Sequence, residues 1–114
     1  MNLITNDENL LVMLKNNLEI ITDYMDADDV ASKNQELTTY IYAAIADIER
    51  EGVKLNFDAY DDQLLVTMYA TWLYDKRKTT GSKYTSYYIQ NMTRMLRWNL
   101  SNRLFQQKIR EKMP

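Results

Sequence analysis

The chain of 114 residues contains no cysteine and no histidine. The lack of cysteine excludes disulfides, thiol catalysis and thiolate metal sites. The lack of histidine removes the side chain that most often acts as a general acid or base and most often ligates transition metals. Catalysis would have to rely on Asp, Glu, Lys, Tyr and Ser alone. We therefore expect no enzyme activity, no cofactor and no metal site.

Glycine and proline are also scarce, with two Gly and one Pro, and the Pro is the last residue. Tight turns and β-hairpins need more of both, which favours an all-α fold. No run of 18 apolar residues occurs, and the N-terminus lacks a basic segment followed by an apolar one. Neither a membrane span nor Sec-type export is therefore expected. The length predicts one domain over residues 1–114.

Acidic and basic residues are sorted along the chain. Residues 1–75 hold fifteen Asp/Glu and four Lys/Arg, a net charge of −11. Residues 76–114 hold ten Lys/Arg and one acid, Glu111, a net charge of +9. Surfaces of opposite sign attract each other within one molecule or between copies, and unlike surfaces joined between copies build rings or filaments. The pattern favours assembly over catalysis, with neutralisation inside a monomer as an open alternative.

Apolar residues spaced three and four apart predict a small bundle of about four helices. The first helix is predicted over about 6–18, behind a capping box formed by Thr5 and Glu8. The second is the longest, with an apolar stripe over 37–48 and a natural stop at Gly52. Three residues are candidate N-caps for this helix: Asp26, Asp28 and Ser32. Ser32 forms the better capping box and is preferred.

The third helix is predicted to start at an Asp58 cap and to end at residues 76–78, which place cations at the negative end of the helix dipole. A fourth helical pattern begins at about Thr85 and forms a basic C-terminal arm. The residues that carry its apolar spacing are Tyr88, Met92, Met95 and Leu96, and Leu100 and Leu104 can continue it. The last stretch, 106–114, is expected to be a flexible tail or an arm.

Two acidic clusters invite a metal-site interpretation. Residues 26–29 resemble the start of a calcium loop, but Ala31 and Leu37 stand where the required Gly and closing Glu should be. The second cluster lies at the start of the third helix: Asp58, Asp61 and Asp62. Paired carboxylates can bind Mg²⁺ or act as acid and base. Helix capping and the favourable interaction of acids with the helix dipole explain all three Asp residues. We therefore expect neither a metal site nor a catalytic site here.

The basic half offers candidate phosphate contacts. Four cations fall within eight residues around one loop: Lys76, Arg77, Lys78 and Lys83. Clustered cations are what phosphate binding needs, but the rest of the chain is acidic and the pI is about 5.1. No tight turn for a helix-turn-helix can be placed. A small nucleic-acid-binding regulatory protein that uses the basic C-terminal half is the alternative function, and a solvated helix end explains the cluster equally well.

The two tryptophans lead to different expectations. Trp72 lies on the apolar stripe of the third helix and is expected in the core. Trp98 is flanked by Arg97 and Asn99. Because Trp and Arg are enriched at the centres of protein interfaces, an interface and a buried position remain equally open for Trp98.

Two segments resemble the head–tail connector (adaptor, or head-completion) proteins of tailed bacteriophages. They are residues 69–78, YATWLYDKRK, and residues 95–105, MLRWNLSNRLF. The second is the more specific, because its order of Arg, aromatic, Asn and Leu followed by Asn, Arg, Leu and Phe is unusual. The order of the predicted helices also matches, so the resemblance spans most of the chain. Many family members carry a Pro where this chain has Met92 or Thr93.

The resemblance implies a structural virion protein. In that family a small helical subunit forms a ring of about twelve copies under the portal, extends the DNA channel and docks the stopper or tail. The implied partners are other copies of the chain, the phage portal protein, a stopper or tail-completion protein and, transiently, passing DNA. The implied location is the head–tail interface of the virion, with the host cytoplasm during assembly.

The resemblance also directs the choice of site residues, since it places the segment from Leu96 to Phe105 against the portal or a neighbouring subunit. The residues predicted for this interface are Arg97, Trp98, Arg103, Leu104 and Phe105. Arg97 and Arg103 are expected to pair with acids of a neighbouring copy, for which the candidates are Asp61, Asp62 and Asp75. The candidate channel or DNA contacts are Lys76, Arg77, Lys78 and Lys83.

Overall fold

A computed structural model describes residues 7–78 and 87–113 of the chain, and helices dominate both stretches. The helices are α1 (Asp7–Asn17), α2 (Ala27–Arg50), α3 (Tyr60–Lys78) and α4 (Tyr87–Lys112). The described residues include no β-strand. The predicted all-α bundle of four helices is confirmed. The Thr5 half of the first capping box and the predicted start of the fourth helix at Thr85 lie outside the described residues.

Helix α2 begins earlier than its preferred capping box predicts. Asp26 is the N-cap, and its Oδ1 accepts a hydrogen bond of 2.9 Å from the backbone N–H of Asp29. The preference for Ser32 was therefore wrong. Asp28 and Asp29 occupy the first turn, where negative charge is favoured by the helix dipole. This acidic first turn extends the helix over residues that the calcium-loop comparison had treated as a loop.

The end of α2 is the stop that Gly52 predicts. Gly52 has φ of +101°, a conformation that L side chains rarely adopt, and its N–H bonds to the carbonyl of Glu49. A Cβ added at Gly52 would lie 3.3 Å from the Leu104 side chain on α4. The backbone conformation is thus what favours glycine here, and a larger residue would in addition require the Leu104 side chain to shift by a few tenths of an ångström.

Of the two alternatives that the sequence left open for residues 106–114, a flexible tail or an arm, the structure has the helical arm, because α4 continues to Lys112. Gln107 holds it against the α2–α3 connection at two points. The side-chain amide of Gln107 donates to the Gly52 carbonyl at 2.9 Å and accepts from the Lys54 N–H at 2.6 Å. The sequence suggested a tail because this region is rich in charge. The bonds of Gln107 join it to residues far away in the chain.

Helix α3 begins at Tyr60, two residues after the predicted cap Asp58. The loop before it is closed by side chains that accept from the backbone. Asn56 Oδ1 accepts from the Asp58 N–H at 3.1 Å, and Asp62 Oδ2 accepts from the Asn56 N–H at 2.7 Å. Asp62 lies in the first turn, as predicted, and it also orders the loop that leads into the helix.

Helix α3 is the centre of the bundle and packs against each of the other three helices. The buried core draws residues from all four: Leu10, Leu14, Leu37, Ile41, Ile45, Ile48, Leu65, Val66, Ala70, Leu96 and Leu100. Trp72 packs against this core, as predicted, and its Nε1–H donates to Thr93 Oγ1 on α4 at 2.9 Å. Burial of each large aliphatic side chain contributes about 1.5–3 kcal/mol, so the core supplies most of the driving force for folding.

A buried tyrosine joins α3 to α2. The hydroxyl of Tyr69 donates to Asp47 Oδ2 at 3.2 Å, and its ring meets the Trp72 ring edge-on with centroids 5.4 Å apart. Burial, reinforced by the negative charge of Asp47, raises the pKa of Tyr69 to about 12. The neutral phenol is therefore the form that the fold stabilises.

Replacement of Tyr69 by Phe should show how much the Tyr69 hydroxyl contributes to stability and how that contribution depends on pH. At pH 7 the lost hydrogen bond should lower the free energy of unfolding by about 1 kcal/mol. The folded-state pKa is higher than the value of about 10 in the unfolded chain. The stability that Tyr69 adds is thus fully present below pH 10 and is lost as the pH rises towards 12. Urea unfolding between pH 7 and pH 11 should show the difference between wild type and Tyr69→Phe narrowing above pH 10.

The matched control is Tyr24→Phe, because Tyr24 is 97% exposed. This variant should follow the wild type at every pH. A difference between wild type and Tyr69→Phe that stays constant up to pH 11 would contradict the assignment.

Candidate functional site: an interaction surface on helix α4

Helix α4 carries apolar residues on two opposite faces. One face packs into the bundle and buries Ile89, Leu96 and Leu100. The other carries five large apolar side chains that are exposed to solvent: Tyr88, Met95, Trp98, Phe105 and Ile109. At 3.6 residues per turn the mean directions of the two sets differ by about 150°. Apart from Tyr88, whose hydroxyl donates to Asp75 on α3, the exposed set, called the α4 stripe below, therefore points away from the bundle.

The spacing of the α4 stripe is that of a helix-packing seam. Positions 88, 91, 95, 98, 102, 105 and 109 alternate by three and four residues, as the a and d positions of a heptad do. The polar residues Asn91 and Asn102 fill two of these positions, and the stripe residues fill the other five. Isolated exposed apolar residues are ordinary, but a series aligned along about 30 Å of one helix marks an interaction surface.

Two of the predicted interface residues lie on the α4 stripe. Trp98 is 67% exposed and Phe105 is 61% exposed. This exposure rules out a buried position for Trp98 within the chain, and its interface role stays a prediction. A large aromatic side chain can contribute strongly to binding when it is transferred from water into a partner. These two residues are the strongest candidates for a contact with another protein.

The two predicted arginines pair with acids of their own chain. Arg103 forms an ion pair with Asp62, whose side chain is almost fully buried. Arg97 lies 3.0 Å from Glu51, at the C-terminal end of α2, and both side chains are exposed. Both acids lie within reach inside one molecule because α4 folds back along α3 and the end of α2. The expectation that Arg103 and Arg97 pair with Asp61, Asp62 or Asp75 of a neighbour stays a prediction.

The remaining predicted contacts also have roles within the chain. Leu104 packs against the core beside Gly52 rather than on the α4 stripe. Burial raises the pKa of the Asp75 carboxyl, and a hydrogen bond from the Tyr88 hydroxyl partly offsets this rise. The same pair raises the pKa of Tyr88, through burial and the nearby negative charge. Asp75 therefore helps to fasten the start of α4 to the end of α3.

The candidate DNA contacts at the end of α3 rest against side chains of α2 and α3. The three described cations are Lys76, Arg77 and Lys78. The first lies 4.7 Å from the ring centroid of Trp72, the second donates to the Tyr40 hydroxyl at 3.2 Å, and the third lies 3.8 Å from Glu36. All three are exposed. Lys83, the fourth predicted cation, lies outside the described residues.

A groove of about 610 Å³ runs beside the α4 stripe, between α1, α3 and α4. Its lining mixes apolar side chains such as Leu64 and Met68 with polar ones such as Asn17 and Asn99.

Within residues 7–78 and 87–113, no three acidic side chains come together in a group that could hold a metal ion. No described helix is both long and apolar enough to cross a lipid bilayer. The α4 stripe is the feature with the clearest chemical meaning.

Comparison of the chain with protein-family models, with curated proteins and with solved structures finds no significant match. No relative therefore supplies a function for the α4 stripe.

The different surroundings of the two arginines predict different losses of stability. Arg103→Met leaves the nearly buried Asp62 without its cation and should lower the free energy of unfolding by about 2 kcal/mol, the value of a charge-assisted hydrogen bond. Arg97→Met breaks an exposed pair and should lower it by less than about 1 kcal/mol. Urea unfolding at pH 7 of both variants gives the comparison. Equal small losses for the two would show that Arg103 does not stabilise the fold through Asp62.

Proposed function

We propose that the chain is a structural virion protein that forms a ring between the portal and the tail of a bacteriophage. The ring extends the DNA channel and docks the stopper or tail. One observation carries the proposal. The centre of the α4 stripe, Met95 to Phe105, is the same segment whose residue order resembles the head–tail connector proteins. A surface built for protein contact thus coincides with the most family-like part of the sequence.

The charge distribution supports the same proposal. Helix α4 holds six Lys/Arg and one acid, a net charge of +5, whereas α2 holds five Asp/Glu and two Lys/Arg, a net charge of −3. Opposite charge on two different surfaces fixes the orientation in which copies approach each other. A ring subunit needs two unlike surfaces of this kind, because each copy contacts one neighbour on either side.

The proposal predicts assembly with a portal that depends on the α4 stripe. The portal ring encoded in the same genome should bind the wild-type chain and give one discrete complex in size-exclusion chromatography with light scattering. Trp98→Ala combined with Phe105→Ala should weaken binding at least tenfold, because each anchor contributes about 1–2 kcal/mol. Tyr24→Ala, which removes an exposed aromatic outside α4, should bind as the wild type does. A wild-type chain that binds no portal at any salt concentration would refute the proposal.

A second candidate function, a small nucleic-acid-binding regulator, draws on the net charge of +5 on α4. Real phosphate contacts make the logarithm of affinity fall steeply with the logarithm of salt concentration. A titration with duplex DNA at about 50, 100 and 200 mM salt separates the regulator from the connector function. The connector function predicts only weak binding without sequence preference. Binding that prefers certain DNA sequences and has a Kd below about 10⁻⁷ M would favour the regulator.

A further inference from the structure

The outward face of α2 is uncharged over most of its length. Between Asp29 and Glu49, which are themselves exposed and charged, every well-exposed position of α2 carries a neutral side chain: Ala31, Ser32, Gln35, Thr39, Tyr42, Ala43 and Ala46. These seven residues are called the α2 face below. Exposed helix faces in soluble proteins usually carry Lys, Glu or other charged residues. The charges of α2 lie instead at its two ends and along its half-buried flanks.

The α2 face and the α4 stripe complement each other in shape. The α2 face consists mainly of Ala, Ser and Thr, whose small side chains allow another helix to approach closely. The α4 stripe consists of large side chains, with Trp98 and Phe105 near its centre. Residues 31–46 of α2 span about 23 Å, which matches the part of the α4 stripe from Met95 to Ile109, about 21 Å long. Large side chains packing over small ones are a favourable way for two helices to pack.

The two surfaces also complement each other in charge. In a contact between the α2 face and the α4 stripe, a helix of net charge −3 lies against one of net charge +5. Pairing of α4 with α4 of another copy would bring +5 against +5 and is disfavoured. Within one chain the two surfaces cannot meet, because each lies roughly opposite the buried face by which its helix packs into the bundle. An α2 face that packs on the α4 stripe therefore has to come from a second copy.

We infer that the α4 stripe of one copy packs on the α2 face of the next copy. The contact is heterologous, since each copy contributes a different surface to each of its two neighbours, and repetition gives a ring or a filament. The inference rests on the proposed ring function and names the two surfaces that build the ring. Trp98 fits against the small residues around Ala46, and the flanking charges set the direction of approach.

Two single substitutions, each on one of the surfaces, test the contact. Trp98→Glu introduces an acid that faces the acidic helix α2, and Ala46→Arg introduces bulk and a cation that faces the basic helix α4. The wild type should self-associate in sedimentation analysis between about 10 μM and 1 mM, the range of a modest interface. Each variant alone should stay monomeric at these concentrations. An equimolar mixture of the two should regain association, because each retains the surface that the other has lost.

Gln90→Glu is the matched control, since it adds the same charge at an exposed position of α4 whose helix neighbours, residues 87, 93 and 94, lie outside the stripe. It should associate as the wild type does, and circular dichroism should show the same helix content for all variants. Association of Ala46→Arg by itself at wild-type strength would show α4–α4 pairing and overturn the inference. A wild-type chain that remains monomeric at 1 mM, about the weakest interface considered, would overturn it as well.

The portal experiment separates this inference from the proposed function. If the chain self-associates through the two surfaces but binds no portal, the contact stands and the connector function fails. If Ala46→Arg, which leaves the α4 stripe intact, forms portal-bound rings as well as the wild type does, the function stands and the contact is refuted.

Discussion

The packing of α1, α2 and α4 around the single helix α3 is the constraint on which the rest of the structure depends. A helix surrounded on several sides has little surface left for solvent, so α3 is buried along much of its length. The helices around it are covered on one side only. The bundle measures 55 × 38 × 18 Å along its principal axes. At a thickness of 18 Å it has no further layer of helices to cover their outer faces. The α2 face and the α4 stripe are both consequences of this arrangement.

Electrostatic attraction between the two halves of the chain is used first inside the molecule. Arg103 pairs with Asp62, Arg97 with Glu51 and Lys78 with Glu36, and each pair joins the basic half to the acidic half. At these three pairs the acidic and basic halves of the chain neutralise each other within one molecule. This neutralisation does not remove the contrast between the helices, since α4 keeps a surplus of cations and α2 a surplus of acids. The same long-range sorting can fold the chain and still orient a second copy.

The sequence predicted the helices well and the partners of individual side chains poorly. Spacing of apolar residues located α2 and α3, and Gly52 marked the end of α2, because these signals are local. The start of α2 was misplaced because Ser32 and Asp26 are both good caps, and the choice depends on how the chain enters the bundle. Tyr88 and Met95 were grouped with the buried Leu96, although the series through 98, 105 and 109 would have revealed a second apolar face. An apolar helix residue looks the same in the sequence whether it meets its own core or another protein.

The sequence by itself determined the all-helical fold, the absence of cysteine and histidine chemistry, and the sorting of charge, because composition and spacing act within a few residues or over the whole chain. Only the tertiary structure decided which cations find acids within the molecule and which apolar face of α4 is left exposed. Both outcomes depend on the positions of residues 40 or more apart in sequence, such as Asp62 and Arg103. Those positions are set by the packing of the helices on α3, which no local pattern encodes.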